Sequence, residues 1–284
     1  PQRPTQRLSG TPLMPELPEV ETTRRGIIPH IQGGRVTRVV IREPRLRWPI
    51  PPQITQHLPG QRLQDIQRRG KYLLLSFDTG TLILHLGMSG SLRILACETP
   101  AQKHDHFDLV FSNDTALRLR DPRRFGAVLW TSEPPAQHRL LRNLGPEPLS
   151  DSFTGQYLHQ QGRRRRVSVK NLIMDSSAVV GVGNIYANEA LFRAGIHPAR
   201  RSDRIALARY AQLARAIVDV LGQAIAQGGT TLRDFQLEDG RPGYFAQQLL
   251  VYGRTDLPCV QCATPIKQKA IGQRSSFYCP HCQH

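Results

Sequence analysis

The stretch YLLLSFDTGTLILHL, residues 72–86, places two short apolar runs on either side of Asp78-Thr79-Gly80. Both runs are rich in Leu, Ile and aromatic residues and too short for an ordinary helix, and the break between them carries turn chemistry. Tyr72 to Phe77 and Thr81 to Leu86 are therefore read as neighbouring antiparallel strands. The same composition recurs in Arg35 to Arg42, Phe107 to Phe111 and Ala127 to Trp130, with a further turn signal at Asn113-Asp114. This half is expected to be a sandwich of short antiparallel strands ending near residue 132. Ahead of it, Glu19 to about Ile31 reads as a helix with Val20, Thr23, Ile27 and Ile31 close to one face.

Downstream the pattern changes. Ser132 to Asp151 is proline-rich with few periodic apolar residues, which suggests a surface connector. From about Asp203 to Gln227, Leu213, Ile217, Leu221 and Ile225 recur every fourth residue. That periodicity marks a buried helical stripe, with Ser202 as candidate cap and Gly228-Gly229 as stop. A second helix is expected from Asn184 to Arg193 after Val180-Gly181-Val182-Gly183, a turn able to offer backbone N–H groups to a phosphate. Residues 1–13 read as a disordered lead, 14–132 as the β-sandwich, 133–150 as a linker, 151–256 as a helical domain and 257–284 as a hairpin unit. The fold class is thus α+β in two domains, which suits a chain of 284 residues.

The chain carries 38 Lys and Arg against 22 Asp and Glu, a formal charge of +16, which favours a polyanionic partner with nucleic acid first. No apolar run approaches the roughly 18 residues of a spanning helix, so a membrane partner is not expected. The first residues, PQRPTQRLSGTPL, lack a secretory apolar stretch, and a cytoplasmic location is expected. Four of the five cysteines fall at Cys259, Cys262, Cys279 and Cys282, as two Cys-x2-Cys pairs separated by sixteen residues. That spacing suits a four-thiolate zinc site, and four protein ligands leave no open position, so one structural Zn2+ is expected. Lys267 to Tyr278 would form a hairpin bearing Arg274. Cys97, far upstream, is expected to be buried or idle.

Met14-Pro15-Glu16-Leu17 presents an initiator-like methionine before a small residue. Removal of that methionine would leave Pro15 as a secondary amine, nucleophilic toward a sugar carbon and able to form an iminium. Glu16 beside it is suited to general acid/base work. The plain alternative is a helix lead-in, since Pro and acids favour a first turn.

Taken in order, Met14-Pro15-Glu16-Leu17-Pro18-Glu19-Val20-Glu21-Thr22, Arg69-Gly70-Lys71-Tyr72, His85-Leu86-Gly87-Met88-Ser89-Gly90, Asp121-Pro122-Arg123-Arg124-Phe125-Gly126, Gly181-Val182-Gly183-Asn184-Ile185-Tyr186 and the cysteine hairpin closely resemble the formamidopyrimidine-DNA glycosylase family of bacteria. The resemblance implies an N-terminal β-sandwich flanked by helices, then a helical domain with a helix-two-turn-helix element and a zinc hairpin. Duplex DNA holding oxidised purines or abasic sites would lie between them, bound by a monomer associated with the bacterial nucleoid.

The implied activity is base excision followed by strand cutting: Pro15 is the Schiff-base nucleophile, Glu16 the proton donor for base release, Lys71 a second proton donor and Arg274 the group for the final elimination. The resemblance further assigns DNA contacts to His104, Arg123 and Arg166, backbone phosphates to Lys170 and Asn184, and the filling of the gap beneath an everted nucleotide to Met88, Arg123 and Phe125. His85 lies in the same motif as Met88 and is taken as a DNA-side residue. By residue type alone Met88 and Phe125 are ordinary core residues, and Arg163 to Arg166 a solvated basic face. Thr230 to Gln247 resembles a lesion-capping loop.

The family pattern starts at Met14, so thirteen preceding residues depart from it, and the functional chain is expected to begin after that lead. Two other readings stay open: an endonuclease VIII type acting on oxidised pyrimidines, and a non-catalytic zinc protein that binds damaged DNA if Pro15 stays acylated.

Overall fold

The computed structural model describes residues 14–228 and 249–284; the lead at 1–13 and the loop expected over Thr230 to Gln247 lie outside the described residues. Helix α1 spans Leu17–Ile31. Next come β1 (Val36–Ile41), a short α2 (Ile54–His57) and β2 to β8, at Asp65–Arg69, Tyr72–Phe77, Gly80–His85, Ser91–Ala96, Asp105–Phe111, Thr115–Arg120 and Ala127–Thr131. They form two four-stranded antiparallel sheets, ordered β1-β6-β7-β5 and β2-β3-β4-β8.

The hairpin expected over 72–86 is β3 and β4, in register from Tyr72↔His85 to Phe77↔Gly80. Gly80 is therefore the first residue of β4 and not part of the turn. Leu73, Leu75, Phe77, Leu82 and Leu84 face the core between the sheets, with Phe107, Leu109 and Leu117 opposite and Val20, Ile27 and Ile31 of α1 beside them. Leu74 and Ile83 point the other way and are buried against Leu129 and Leu141. With both faces covered, the strands read as continuous apolar runs instead of alternating ones.

Strands β2, β5 and β7 escaped the sequence reading. DIQRR and TALRLR put charge where a strand pattern wants apolar residues. In β7 the exception is resolved by pairing: buried Arg118 meets Asp108 at 2.8 Å and Asp105 at 3.5 Å, and its guanidinium also donates to the carbonyls of Thr99 and Pro100. A buried charge survives only when partnered in this way.

The segment after β8 contains a 3-10 turn at Pro135–Gln137 and otherwise runs as turns and coil. The helical part holds α3 (Gly155–Arg163), α4 (Val169–Met174), α5 (Asn184–Arg193) and α6 (Leu207–Gly228). The side chains of Thr154 and Ser168 cap α3 and α4. Leu213, Ile217 and Leu221 lie on the buried face of α6 as expected. The helix starts later than Asp203, however, and Ser202 does not cap it. Ser202 begins a separate 3-10 turn and its hydroxyl donates to the Arg165 carbonyl, while extended Ile205 interrupts the chain before Leu207. Helix α1 packs against α6 and so joins the two halves.

Strands β9 (Lys267–Ile271) and β10 (Arg274–Tyr278) make the expected C-terminal hairpin. It rests on α5, where Asn188 Oδ1 accepts the Phe277 N–H at 2.8 Å and Phe192 packs with Val251, Ile266 and Phe277. The sulfurs of Cys259, Cys262, Cys279 and Cys282 all lie within 4.8 Å of one another. Contacts of 3.4 Å (Cys262–Cys282), 3.5 Å (Cys262–Cys279) and 3.9 Å (Cys259–Cys282) surround the spacing of about 3.8 Å that tetrahedral Zn–S bonds require. Four thiols without a carboxylate suit Zn2+ and not a hard cation. No helix among the described residues is long and apolar enough to cross a membrane.

The apolar cluster under β9 and β10 is small, so metal binding supplies much of the folding free energy of this unit. Stripping the metal with a strong chelator is expected to release amide protection in 257–284 while leaving β3 and β4 protected. Hydrogen exchange followed by mass spectrometry checks this, and unchanged protection of the hairpin after verified metal loss contradicts it.

Candidate active site

Glu16 closes the gap between the two halves. It stands at the N-terminal boundary of α1 in extended conformation, with its own N–H donating to Glu19 Oε2 at 2.8 Å, and the next N–H, of Leu17, donates to Gly181 O at 3.1 Å. Its buried carboxylate accepts the N–H groups of Gly183 (2.7 Å), Ile185 (2.8 Å) and Tyr186 (3.4 Å). These are amides at the start of α5, which the positive end of that helix makes strong donors to an anion. The turn was expected to offer N–H groups to a phosphate. In the folded chain a carboxylate from the other half takes them. Position 183 must be glycine, because a Cβ there would lie 2.2 Å from Glu16 Cδ.

Burial pushes the Glu16 carboxyl up to about 7, against the downward pull of Lys71 and with added repulsion from Glu19. Holding it ionised in place of its solvent state thus costs about 3 kcal/mol, and near neutrality the proton is on it about half the time. Burial also raises Glu19, opposed by the Tyr186 hydroxyl, which donates to Glu19 Oε1 at 2.6 Å. Lys71 is lowered by burial, partly offset by the charges of Glu16 and Glu19, while Arg274 drives it further down. Pro15 is buried beside this group. A carboxyl near neutrality facing a depressed ammonium is equipped to exchange protons with a bound reactant.

Lys71 lies in the β2–β3 turn, and that turn is clamped by a residue the sequence did not reveal. Glu147 accepts from the Gly70 N–H (2.7 Å), Arg68 Nη1 (2.6 Å) and Arg69 Nη1 (2.9 Å), and Arg68 also pairs with Glu21 at 3.1 Å. Glu147 sits between two prolines in the connector, and nothing local marks it. Glu19 was legible in principle, since it lies three residues after Glu16, the spacing of a reciprocal cap.

Arg274 begins β10 and is exposed. Asn184 begins α5 and donates to the Ser275 carbonyl at 3.1 Å, so hairpin and helix meet there. Lys170 is fully buried, with its ammonium on Ser275 O (2.8 Å) and Ser276 Oγ (2.7 Å) and its pKa down to about 8 through burial and Arg274. In this structure it is therefore fixed beneath the hairpin and not presented at the surface.

His85 is neutral: burial and the Lys71 charge hold it near 4, Nδ1 accepts the Gly87 N–H, and the ring lies 4.7 Å from that of Tyr72. Met88 is half-buried. Phe125, a core residue by type, is 42% exposed, and the Arg123 guanidinium sits 5.1 Å from its ring centre. His104 is half-buried with φ +76°. Of the basic run, Arg163, Arg164 and Arg166 are exposed, whereas Arg165 is tied to Asp175 at 2.6 Å. Cys97 is half-exposed, not buried, and its thiol donates to Glu98.

Known proteins share this order of domains. The formamidopyrimidine-DNA glycosylase N-terminal domain model matches residues 14–128, the H2TH domain model 144–236, and the zinc finger found in FPG and IleRS 256–284. The formamidopyrimidine-DNA glycosylase of Methylococcus capsulatus is 61% identical over 270 residues, 95% of this chain and 100% of that protein. That of Nitrosococcus oceani is 59% identical over 271 residues, again 95% and 100%. Among solved structures, MutM (Fpg) from Thermus thermophilus is 38% identical with a TM-score of 0.82, covering 95% of this chain and 98% of its own. Lactococcus lactis Fpg in complex with N7-benzyl-Fapy-dG DNA is 32% identical with a TM-score of 0.87, covering 95% and 100%. Two sheets, a helical H2TH unit and a four-cysteine hairpin, matched in order by three family models, place the chain in the formamidopyrimidine-DNA glycosylase family.

Proposed function

We propose that the chain is a bifunctional DNA glycosylase and AP lyase that excises oxidised purines from duplex DNA. The observation that carries this reading is the Glu16 carboxyl, poised near pH 7 on the N-terminus of α5, next to Pro15 and within the field of Lys71. Relatives with 55–61% identity bear the glycosylase name, and structural neighbours hold DNA with Fapy-dG, carbocyclic 8-oxo-G or an abasic site.

The steps follow from the residues. Pro15, with its nitrogen free, attacks C1′ of the damaged nucleoside as Glu16 gives its proton to the sugar ring oxygen. The C1′–N bond breaks, and the base departs with the electron pair and takes up the proton released from the Pro15 nitrogen. Scission of the C1′–O4′ bond onto the protonated ring oxygen leaves the opened sugar as an iminium on Pro15. The iminium acidifies the C2′ proton, so loss of that proton expels the 3′ phosphate, and a second elimination expels the 5′ phosphate. Lys71 shuttles protons during the first stages, and Arg274 assists the last.

Zn2+ supplies no chemistry here; held by Cys259, Cys262, Cys279 and Cys282, it fixes the hairpin that carries Arg274. Met88, Arg123 and Phe125 fill the space left by the everted nucleotide, which offsets part of the stacking and pairing lost on extrusion. His104, Arg166 and Asn184 take backbone contacts, which position the duplex and make affinity sensitive to salt.

Borohydride is expected to trap the iminium as a covalent adduct with an oxidised-purine duplex, with peptide mapping placing the link on an N-terminal Pro15. An adduct formed in equal yield by protein that retains residues 1–13 rules out this nucleophile. Because Glu16, whose carboxyl burial raises, must enter the reaction protonated and the Pro15 amine unprotonated, base excision should follow a bell-shaped pH profile, rising and then falling about tenfold per pH unit on its outer limbs. Glu16→Gln should lower base excision by about 100-fold or more while affecting cleavage at a preformed abasic site less. Single-turnover rates from pH 5.5 to 9 on the two substrates provide the check, and a flat wild-type excision profile contradicts the assignment.

A further inference from the structure

We propose that Asp121 is the positioning residue of the gap-filling wedge: it ties the Met88-Ser89 turn, the Arg123-to-Phe125 turn and His104 into one body, and eversion from a duplex depends on it. The inference rests on the reading of the wedge given above and adds a residue to which that reading assigns no part.

Asp121 is fully buried after β7. Its Oδ1 accepts the Ser89 hydroxyl at 2.9 Å and the Arg123 N–H at 3.3 Å, and its Oδ2 accepts the Gly126 N–H at 2.7 Å. Its main chain serves the same loops. The N–H donates to the His104 carbonyl at 3.0 Å, and the carbonyl accepts from the Arg124 N–H at 3.2 Å and His106 Nε2 at 2.9 Å. The side-chain partners are a hydroxyl and two amides, so the charge strengthens bonds that hold loop geometry instead of forming an ion pair.

The tied loops are ones that need holding. His104 and Arg124 occupy left-handed backbone at φ +76° and +55°, which a side-chain-bearing residue keeps only under external constraint. The two wedge turns also press together: a Cβ on Gly87 would lie 2.4 Å from the Phe125 carbonyl carbon. A displacement of the Asp121 carboxylate is thus felt at Met88, Arg123 and Phe125 at once. Phe125 is exposed and outside the apolar cores, so its placement depends on these ties and not on core packing.

Asp121→Asn tests the idea, because it keeps the shape but turns an NH2 group toward a loop donor. Excision of an oxidised purine from duplex is expected to fall about 30-fold, the loss of about one charge-assisted hydrogen bond. Cleavage of an abasic site in a single-stranded oligonucleotide, which has no stack to fill, should stay within about threefold of wild type. Ser89→Ala, a milder change, should move duplex excision the same way and decides alone if Asp121→Asn does not fold. Stopped-flow fluorescence of 2-aminopurine beside the lesion reads eversion independently of bond cleavage, and its rise should slow in both variants. Parallel loss on both substrates, or unaltered duplex excision and eversion, overturns the role of Asp121. A wild-type protein that everts the lesion but neither cuts nor is trapped would instead overturn the proposed chemistry and leave the eversion comparison intact.

Discussion

A carboxylate from the first half of the chain caps a helix of the second. Glu16 satisfies three amides at the start of α5 that would otherwise be orphaned, and those amides in turn are what allow a carboxyl to stand in a buried position at all. Neither half is complete without the other: α1 begins where Glu16 is fixed, and α5 begins where Glu16 is received. The compensation is partial, because burial outweighs the amides and Lys71 together. That residual penalty leaves the proton easily gained and lost near neutrality, so the contact that joins the halves also holds a carboxyl able to exchange its proton.

The same economy recurs around the site. Glu147 draws Arg68, Arg69 and the Gly70 amide together and so fixes the turn from which Lys71 extends. Asn188 holds the β10 backbone and Asn184 the Ser275 carbonyl, so the hairpin carrying Arg274 is set against α5. In each case a buried or half-buried side chain satisfies backbone groups and so fixes the element that carries Lys71 or Arg274. The four cysteines add a cross-link where the apolar cluster is too small to hold a hairpin unaided.

Much of the architecture was legible because the signals were local. The runs from 72 to 86, the α5 boundaries at Asn184 and Arg193, the four-residue stripe of α6 and the cysteine spacing each express a period or turn that nearby residues impose. Illegible were β2, β5 and β7, whose charges look wrong for strands; in β7 the reason is seen only when Arg118 meets Asp108 and Asp105. Ser202 looked like a cap because it precedes a periodic stretch, yet its hydroxyl is taken by the Arg165 carbonyl from an earlier segment. Phe125 is a core residue by type alone; the motif resemblance set it on the DNA side, and in the fold it is exposed beneath Arg123.

By itself the amino-acid order determined the strand and helix halves, the thiolate set with its metal, and which residues were chemically able to react, since these follow from residue type and short spacing. The tertiary structure alone decided the protonation of Glu16, the depressed ammonium of Lys71, the burial of Lys170 and the helix end that Glu16 occupies. Those properties depend on solvent exclusion and on charges and dipoles brought together across 167 positions of chain between Glu16 and Gly183, and no local pattern encodes that proximity.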